Sequence, residues 1–334
     1  MTALSRLIQR MLPGLSVQVA ALVLVLLGNW VLFPGFFHLS VEDGRLFGSL
    51  IDVLNSGAPV AILAVGMTLV IATRGVDLSV GAVMAVAGAI AATVVEAGYP
   101  AGVAALLALV AGVACGAWNG FLIAAMKMQP IVATLVLMVA GRGVAQLITE
   151  GSIVTFADPW LAYLGSGSVL GLPVAPILLM GLAAAAILVV RCTALGLFIE
   201  AVGVNPSAAR FAGLRGKLMV MIVYSFSGLC AGIAGLLAAA DIQAADANNA
   251  GLWLELDAIL AVVIGGTSVL AGRFSIMLSI LGALINQATN TRILVSGLPP
   301  EFNLIVKAAV ILIILVLQSP KTARLVRRKR GRQA

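Results

Sequence analysis

The feature that most constrains this chain is a series of ten long apolar runs, each close to the length of a membrane span. Hydrophobic residues make up 62% of the chain and charged residues only 10%, whereas a soluble domain is about 45–50% apolar and about 25% charged. So few charges cannot cover a water-facing surface, and the runs lack the alternation of a membrane β-barrel. The sequence therefore predicts an all-α membrane protein, a polytopic helical bundle of about ten transmembrane helices. The predicted spans are 16–34, 56–73, 78–96, 100–126, 129–148, 174–191, 216–240, 256–272, 274–289 and 303–319. The regions 78–96 and 256–289 hold many glycines, so broken or re-entrant helices are the alternative there.

The distribution of charge indicates which way the bundle faces. With the N-terminus in the cytoplasm and alternating spans, sixteen of the twenty Lys and Arg residues fall in cytoplasmic segments. Eleven of the thirteen acidic residues fall outside or at the outer edge of a span, and only Asp77 and Glu200 fall inside. Because cytoplasmic loops are enriched in Lys and Arg, we expect both termini to be cytoplasmic.

The chain divides into three segments by composition. Residues 1–15 are expected to be a cytoplasmic N-terminal segment, residues 16–319 the transmembrane domain, and residues 320–334 a basic cytoplasmic tail. A basic block directly after an apolar run is typical of contact with lipid headgroups. We therefore expect the lipid bilayer, and no nucleic acid, as the partner of this tail.

Several kinds of chemistry have no residues in this sequence to support them. The nearest approach to a phosphate-binding P-loop, Gly213–Lys217, has the wrong spacing and lacks the final hydroxyl. The three cysteines have no metal-ligand spacing, and no catalytic triad pattern is present. We expect a protein that is not an enzyme and holds neither a metal nor a cofactor.

Polar residues inside predicted spans are candidates for a substrate pathway. Arg142 is the clearest, because an Arg at a helix centre costs roughly 2.5–3.5 kcal/mol on insertion scales, and Gln146 shares its helix face. The uncharged amide groups of Asn and Gln side chains can form hydrogen bonds with sugar hydroxyls. Hydrogen bonding between helices is the alternative for each of them. The candidate pathway residues are Asn119, Gln129, Arg142, Gln146 and Asn286.

An Arg, an Asp and two glycines interrupt the apolar sequence between the second and third spans, at 74–81. Asp77 is placed to cap the third span by accepting hydrogen bonds from free N–H groups near Val80. A role for Asp77 and Ser79 in gating is the alternative.

Glycines recur at four-residue spacing in two spans. They are Gly112, Gly116 and Gly120 in one, and Gly228 and Gly232 in the other. Small residues at this spacing let helix backbones approach closely. We expect tight packing inside the bundle, with a subunit interface as the alternative.

The cytoplasmic loop 191–217 is long enough to hold a short helix of its own. Asn205 or Ser207 can cap a helix over residues 208–212, with Pro206 in its first turn and Gly213 ending it. Such a capped helix, flanked by basic residues, can dock on a partner. An ordinary interfacial loop is the alternative.

Two isolated cations lie on the otherwise acidic outer face, Arg45 and Arg292. Single cations in this setting are natural partners for carboxylates on a docking protein. Local pairing with Asp43 or Glu301 is the alternative.

Three motifs in this order resemble sugar ABC transporter permeases of the ribose/xylose/arabinose type. They are Gly75–Gly81 (G-V-D-L-S-V-G), Ala201–Gly213 (A-V-G-V-N-P-S-A-A-R-F-A-G) and Glu255–Thr267 (E-L-D-A-I-L-A-V-V-I-G-G-T). The resemblance covers about residues 56–318. Family members usually carry a small residue where this chain has Arg74. Glu42–Gly48 and Ala245–Leu254 resemble a permease for one particular sugar within that family.

The resemblance implies a permease subunit of a binding-protein-dependent importer in a bacterial inner membrane. Its expected partners are a cytoplasmic subunit that binds ATP, a periplasmic sugar-binding protein and a second permease subunit, identical or paralogous. The loop 191–217 would contact the ATPase, and the residues expected to carry that coupling are Gly203, Asn205, Ala208, Ala209 and Gly213. The rival hypothesis is a secondary transporter driven by an ion gradient, which is disfavoured by the lack of buried acidic residues.

Overall fold

The computed structural model describes residues 18–31, 35–42, 44–267 and 274–295, together with residues 305, 308, 309 and 312. This part of the chain is a helical bundle with three short antiparallel strand pairs, which confirms the predicted fold class. Segments 1–15 and 320–334 and most of the predicted span 303–319 lie outside the described residues. The total of ten spans and the side of the termini therefore stay predictions.

Twelve helices are present in the described part of the chain. Five of them, α2, α4, α5, α7 and α10, are long and apolar enough to cross a membrane. The helices are α1 (Gln18–Val31), α2 (Ser49–Ala72), α3 (Val80–Glu96), α4 (Ala101–Ala124), α5 (Pro130–Ile148), α6 (Pro159–Ser166), α7 (Val174–Cys192), α8 (Leu195–Val204), α9 (Pro206–Phe211), α10 (Gly216–Ile242), α11 (Leu254–Ile264) and α12 (Ile276–Val295).

Three antiparallel pairs of short strands lie between the helices at one end of the bundle. This is the end that the charge pattern assigns to the outside, and it is called the outer end below. The pairing of β3 with β6 joins segments far apart in sequence, which the alternating topology places on the same side. The pairs are β1 (Ser40–Glu42) with β2 (Arg45–Phe47), β3 (Ile153–Thr155) with β6 (Ala244–Asp246), and β4 (Ser168–Val169) with β5 (Leu172–Pro173).

Helix α2 lies at the centre of the bundle, since its residues from Ala58 to Ala72 are buried almost without exception. It packs against α10, α11, α12 and α7. The helix begins at Ser49, two turns before the predicted edge of the span at residue 56. The sequence prediction started late because Asp52 and Asn55 interrupt the apolar run in the first turns of the helix.

The glycine pattern holds α4 against α10 inside the chain. A Cβ added at Gly228 would fall on the backbone of Gly112 and Gly116, and one at Gly116 would fall on the carbonyl of Tyr224. The predicted close packing within the bundle is therefore confirmed. Side chains at these positions would push the two backbones apart.

The predicted span 256–272 is wrong in its length. Helix α11 ends at Ile264 and has 11 residues, about 17 Å at 1.5 Å per residue, which is shorter than the hydrocarbon core of about 30 Å. Gly265 and Gly266 end it, the latter with a left-handed φ of 78°. A Cβ at Gly265 would meet the backbone of Leu278, so α11 and α12 form a close hairpin. The sequence indicated a broken or re-entrant helix in this region.

Candidate functional site

A cavity of about 430 Å³ lies in the outer half of the bundle, within the roughly 300–1,000 Å³ typical of small-molecule sites. We call it the central cavity. Its walls come from α2, α3, α10, α11 and α12 and from residues 244–251, which precede α11. The polar side chains that line it are Asn55, Ser56, Asp241, Asp246, Asn249, Asp257, Gln287 and Asn290, and its apolar walls include Val60, Met84 and Leu237.

Two amides in the central cavity have unused hydrogen-bonding capacity. The side-chain oxygens of Asn55 and Asn290 are buried and accept no hydrogen bond from the described residues. A buried carbonyl oxygen left without a donor is costly, at about 1–3 kcal/mol. Because both oxygens have almost no accessible surface, hydroxyl groups of a bound solute would supply the missing donors only after a rotation of either side chain toward the cavity. Among the described residues that line the cavity, none is aromatic and none is basic.

A second cavity of about 180 Å³ lies at the outer end and adjoins the first. We call it the outer vestibule. It shares Asn55, Gly165 and Asp241 with the central cavity, so the two are contiguous. Arg45 lines the vestibule and donates from Nη1 to the carbonyl of Ser166 at 3.1 Å. The predicted docking residue Arg45 thus lies at the mouth of the central cavity. Arg292 lies in α12, but its side chain is outside the described residues.

The segment between α10 and α11, residues 243–253, forms part of the cavity wall and is held by α5. We call it the outer segment. Arg142 donates from Nη1 to the carbonyl of Ala247 at 3.1 Å and also to the carbonyl of Ala250. Gln146, one turn later, donates from Nε2 to Oδ1 of Asn248 at 2.8 Å. Arg142 and Gln146 lie behind the cavity wall and fix its position.

The outer segment also stabilises itself through Asp246. Its Oδ1 accepts from the backbone N–H groups of Asn248 and Asn249, and its Oδ2 accepts from Nδ2 of Asn249 at 2.8 Å. The side-chain hydrogen bond from Asn249 is the main cause that lowers the pKa of Asp246 below its ordinary value. The cavity therefore presents a carboxylate at this point at neutral pH.

A group of buried polar side chains surrounds Asp77 at the opposite, inner end. We call Asp77, Ser79, Asn119 and Ser227 the Asp77 cluster. Oδ1 of Asp77 accepts from the N–H and the hydroxyl of Ser79 at 3.1 and 2.6 Å, and Oδ2 accepts from the hydroxyl of Ser227 at 2.8 Å. Asn119 donates to the Ser79 hydroxyl at 2.9 Å. Asp77 thus closes the turn before α3, whose N-cap residue is Ser79, and joins that turn to α10. The prediction that the bundle lacks buried acidic residues is wrong, because Asp77 and Asp257 are both buried.

The loop 191–217 contains two short helices, α8 and α9. Oδ1 of Asn205 accepts from the N–H groups of Ser207 and Ala208 at 3.1 and 3.0 Å, so Asn205 caps α9. Gly213, with φ 84°, follows the last turn. Its N–H donates to the carbonyl of Arg210, and the N–H of Leu214 donates to that of Ala209, which is a Schellman ending.

The six-residue helix α9 has one face turned toward the protein and one turned away. Ala209 is buried and packs with Val202 and Met219, whereas Ala208 is exposed. Phe211 is 88% exposed at the C-terminal end of α9. An exposed Phe beside an exposed Ala is suited to a partner's apolar groove. Phe211 could not be identified from the sequence, because the six residues of α9 are too few to show a helical period. Gly203 is buried at the end of α8.

The five predicted pathway residues fall in different places. Asn119 belongs to the Asp77 cluster, and Gln129 is an exposed residue at the N-terminus of α5. Arg142 and Gln146 hold the outer segment. Asn286 is buried beside the cavity-lining Gln287, and its Nδ2 has no acceptor among the described residues. The prediction missed the cavity amides Asn55 and Asn290. Both lie near helix ends, where polar residues in a sequence resemble the boundaries of spans.

These features define a polytopic helical membrane protein with a solute-sized cavity and a short, partly exposed helix, α9, at its inner end. The sequence profile of the family described as the permease component of the branched-chain amino acid transport system matches residues 49–315. The chain belongs to this family and is a membrane-spanning permease subunit of a binding-protein-dependent ABC importer.

Individual relatives align over nearly the whole chain. The galactofuranose transporter permease protein YtfT of Escherichia coli is 58% identical over 315 residues, which cover 94% of this chain and 92% of the relative. The fructose import permease protein FruF of Bifidobacterium longum is 39% identical, covering 96% and 93%. The ribose import permease protein RbsC of Escherichia coli is 39% identical, covering 91% and 92%. No solved structure matches the chain significantly.

Proposed function

We propose that this permease carries a monosaccharide, with galactofuranose as the first candidate, from the outer vestibule through the central cavity of a bacterial inner membrane. The central cavity, with its unpartnered Asn55 and Asn290 oxygens, is the observation that carries the proposal. The identity to the galactofuranose permease of Escherichia coli supports the choice of sugar. So does the resemblance of Glu42–Gly48 and Ala245–Leu254 to that permease, because the first segment borders the vestibule and the second the cavity.

The composition of the cavity favours weak binding. Sugar hydroxyls can exchange hydrogen bonds with its amides and carboxylates, while apolar atoms such as those of Met84 and Leu237 contact the ring. The described residues that line it offer no aromatic ring on which a sugar could stack. We therefore expect an affinity on the order of 1 mM, or about −4 kcal/mol. A permease supplied by a binding protein must release its sugar readily, so weak binding suits transport.

The inner end supplies the site for a cytoplasmic ATPase subunit. In this proposal Ala208 and Phe211 contact that subunit. Asn205, Ala209 and Gly213 hold α9 in position, and Gly203 is buried at the end of the preceding helix α8. ATP is bound by the partner, so the permease itself needs no cofactor. At the outer end the binding protein docks over the vestibule, where Arg45 pairs with its carboxylates; Arg292 is the second cation proposed for this contact. A second permease subunit, identical or paralogous, completes the transporter.

Reconstitution tests the proposal. The permease is placed in proteoliposomes with its ATPase subunit, its binding protein, the second permease subunit where that subunit is a paralogue, and radiolabelled galactofuranose. We expect uptake that needs enclosed or supplied ATP on the ATPase side and survives ionophores that collapse ion gradients. Uptake by the permease alone, abolished by ionophores, would instead establish an ion-gradient-driven transporter. Unlabelled galactopyranose, ribose and fructose as competitors then decide whether the furanose is preferred.

A further inference from the structure

The turn between α2 and α3 contains an arginine with an unusual backbone conformation and a distant partner. Arg74 has a left-handed φ of 62°, which is uncommon for a residue other than glycine. Its Nη2 donates to the carbonyl of Val204 at 2.6 Å, across 130 residues of sequence. Val204 is the last residue of α8, and the next residue, Asn205, caps α9. The guanidinium therefore holds the junction between these two helices.

The electrostatics of the junction favour a cation. The last carbonyls of a helix have no partner within that helix and carry partial negative charge. The guanidinium of Arg74 satisfies one of them at the end of α8. Because the Arg74 side chain is exposed, this single hydrogen bond is accessible to competition from water. Such a contact can form and break during a transport cycle.

The other side of the same turn is attached to the bundle. The carbonyl of Val76 accepts from the Tyr224 hydroxyl at 3.3 Å and from Thr134 at 3.4 Å, which links the turn to α10 and α5. Asp77 is bonded to Ser227 of α10. A Cβ at Gly75 would meet the Tyr224 ring, so the turn has little room to slide. Displacement of the turn must therefore displace α10 or α5 with it.

We propose that Arg74 is a positioning residue that transmits movement of the docking helix α9 to the α2–α3 turn and through it to α10 and α5. The proposal rests on the proposed function of α9 as the contact with the ATPase subunit. Those two helices reach the central cavity at their outer ends, α10 as its wall and α5 through Arg142. Among the described residues, Arg74 thus joins the α8–α9 junction to the α2–α3 turn by a direct hydrogen bond.

The experiment measures sugar taken up per ATP hydrolysed in proteoliposomes that contain the permease, its ATPase subunit and its binding protein. Arg74→Ala removes the guanidinium and keeps a side chain at the left-handed position. Arg74→Gly removes it and relieves the backbone strain. Arg74→Lys keeps a charged donor, which suffices for one carbonyl. The matched control is Lys127→Ala, because Lys127 is an exposed cation with φ 58° in the next turn at the inner end.

We expect Arg74→Ala and Arg74→Gly to lower uptake per ATP by roughly threefold to tenfold, as loss of one exposed charge-assisted hydrogen bond allows. Basal ATP hydrolysis and co-purification of the ATPase subunit should stay unchanged. Arg74→Lys should restore most of the ratio, and Lys127→Ala should match the wild type.

Two results would overturn the proposal. One is a wild-type ratio of uptake to hydrolysis in both Arg74→Ala and Arg74→Gly. The other is loss of the ATPase subunit from the purified complex in both variants, which would make Arg74 a support for assembly only. Failure of the proposed function is separate from either, because it would appear in the wild-type protein as uptake that needs no ATP.

Discussion

Replacing Arg142 should loosen the wall of the central cavity without unfolding the bundle. The guanidinium donates to the carbonyls of Ala247 and Ala250 from α5. Hydrogen bonds to charged groups contribute about 1.5–3 kcal/mol each, and the partial exposure of Arg142 favours the low end. Arg142→Ala loses both bonds. Asp246 and the pairing of β3 with β6 still hold the outer segment, so the net local loss should be about 2 kcal/mol.

That magnitude has a measurable consequence for the outer segment. Since about 1.4 kcal/mol corresponds to a factor of ten, a loss of 2 kcal/mol raises the local opening equilibrium by roughly thirtyfold. Hydrogen–deuterium exchange of the amides at 247–251 should accelerate by about that factor. Exchange in the centre of α2 should not change. Sugar uptake in reconstituted transporter should fall, while binding of the loaded binding protein should persist.

Substitution by lysine separates charge from geometry. A lysine ammonium is a point donor on a flexible stem, whereas the planar guanidinium presents several donors in a fixed arrangement. Arg142→Lys should therefore recover at most about half of the lost protection. Gln146→Ala removes one exposed neutral hydrogen bond and should have a smaller effect, at about 0.5–1.5 kcal/mol. Wild-type uptake together with wild-type exchange at 247–251 in Arg142→Ala would refute the reasoning.

Three other predictions concern packing, docking and the buried carboxylate. Gly228→Ala should destabilise the bundle by about 1–3 kcal/mol, because the new methyl group meets the backbone of α4, and the Tm of the purified protein should fall. The control Gly181→Ala, whose new methyl meets nothing within 4 Å among the described residues, should not lower the Tm. Equal Tm values for the two variants would contradict the close packing. Phe211→Ala should weaken co-purification of the ATPase subunit and its stimulation, whereas Leu170→Ala, 98% exposed at the outer end, should affect neither; retention of the subunit by the Phe211 variant would argue against docking through α9. Asp77→Ala leaves buried donors without an acceptor, so the Tm should fall by an amount equivalent to at least about 2 kcal/mol. Asp77→Asn should lower the Tm less. A larger fall in Tm for the Asn variant than for the Ala variant would show that the negative charge itself is required.

The sequence predicted the helices well where composition alone decides them. The runs 100–126, 129–148 and 174–191 correspond closely to α4, α5 and α7, because an uninterrupted apolar run of sufficient length leaves a membrane segment no other structure. The prediction was wrong where glycines ended a run, as at Gly265 and Gly266. The predicted span also omitted the first turns of α2, because Asp52 and Asn55 are polar residues of the kind found in loops.

The arrangement of the site could not be predicted in the same way, because it depends on tertiary contacts. Arg142 was identified from the cost of burying it, but its partners lie more than 100 residues away, and no local pattern names them. The direction of Ala209 was also open, since α9 has fewer than two turns. The ending at Gly213 and a cap at Asn205 or Ser207 were predictable, because each acts through neighbours two to four residues away in sequence. The cap is Asn205, and α9 begins at Pro206, two residues before the predicted start at 208.

Helix α10 physically connects the two ends of the molecule. It has 27 residues, about 40 Å at 1.5 Å per residue, which exceeds the hydrocarbon thickness. Near its start Met219 packs with the buried Ala209 of α9, in its middle Ser227 and Tyr224 hold the Asp77 turn, and near its end Asp241 lines the cavity. Gly228 and Gly232 lie against the backbone of α4, and Gly235 lies against that of Met84 in α3, so α10 has little room to rotate or slide without moving a neighbouring helix. If α9 is displaced by the ATPase subunit, as proposed above, α10 should carry that displacement to the cavity wall at the opposite end of the bundle rather than absorb it as a local distortion.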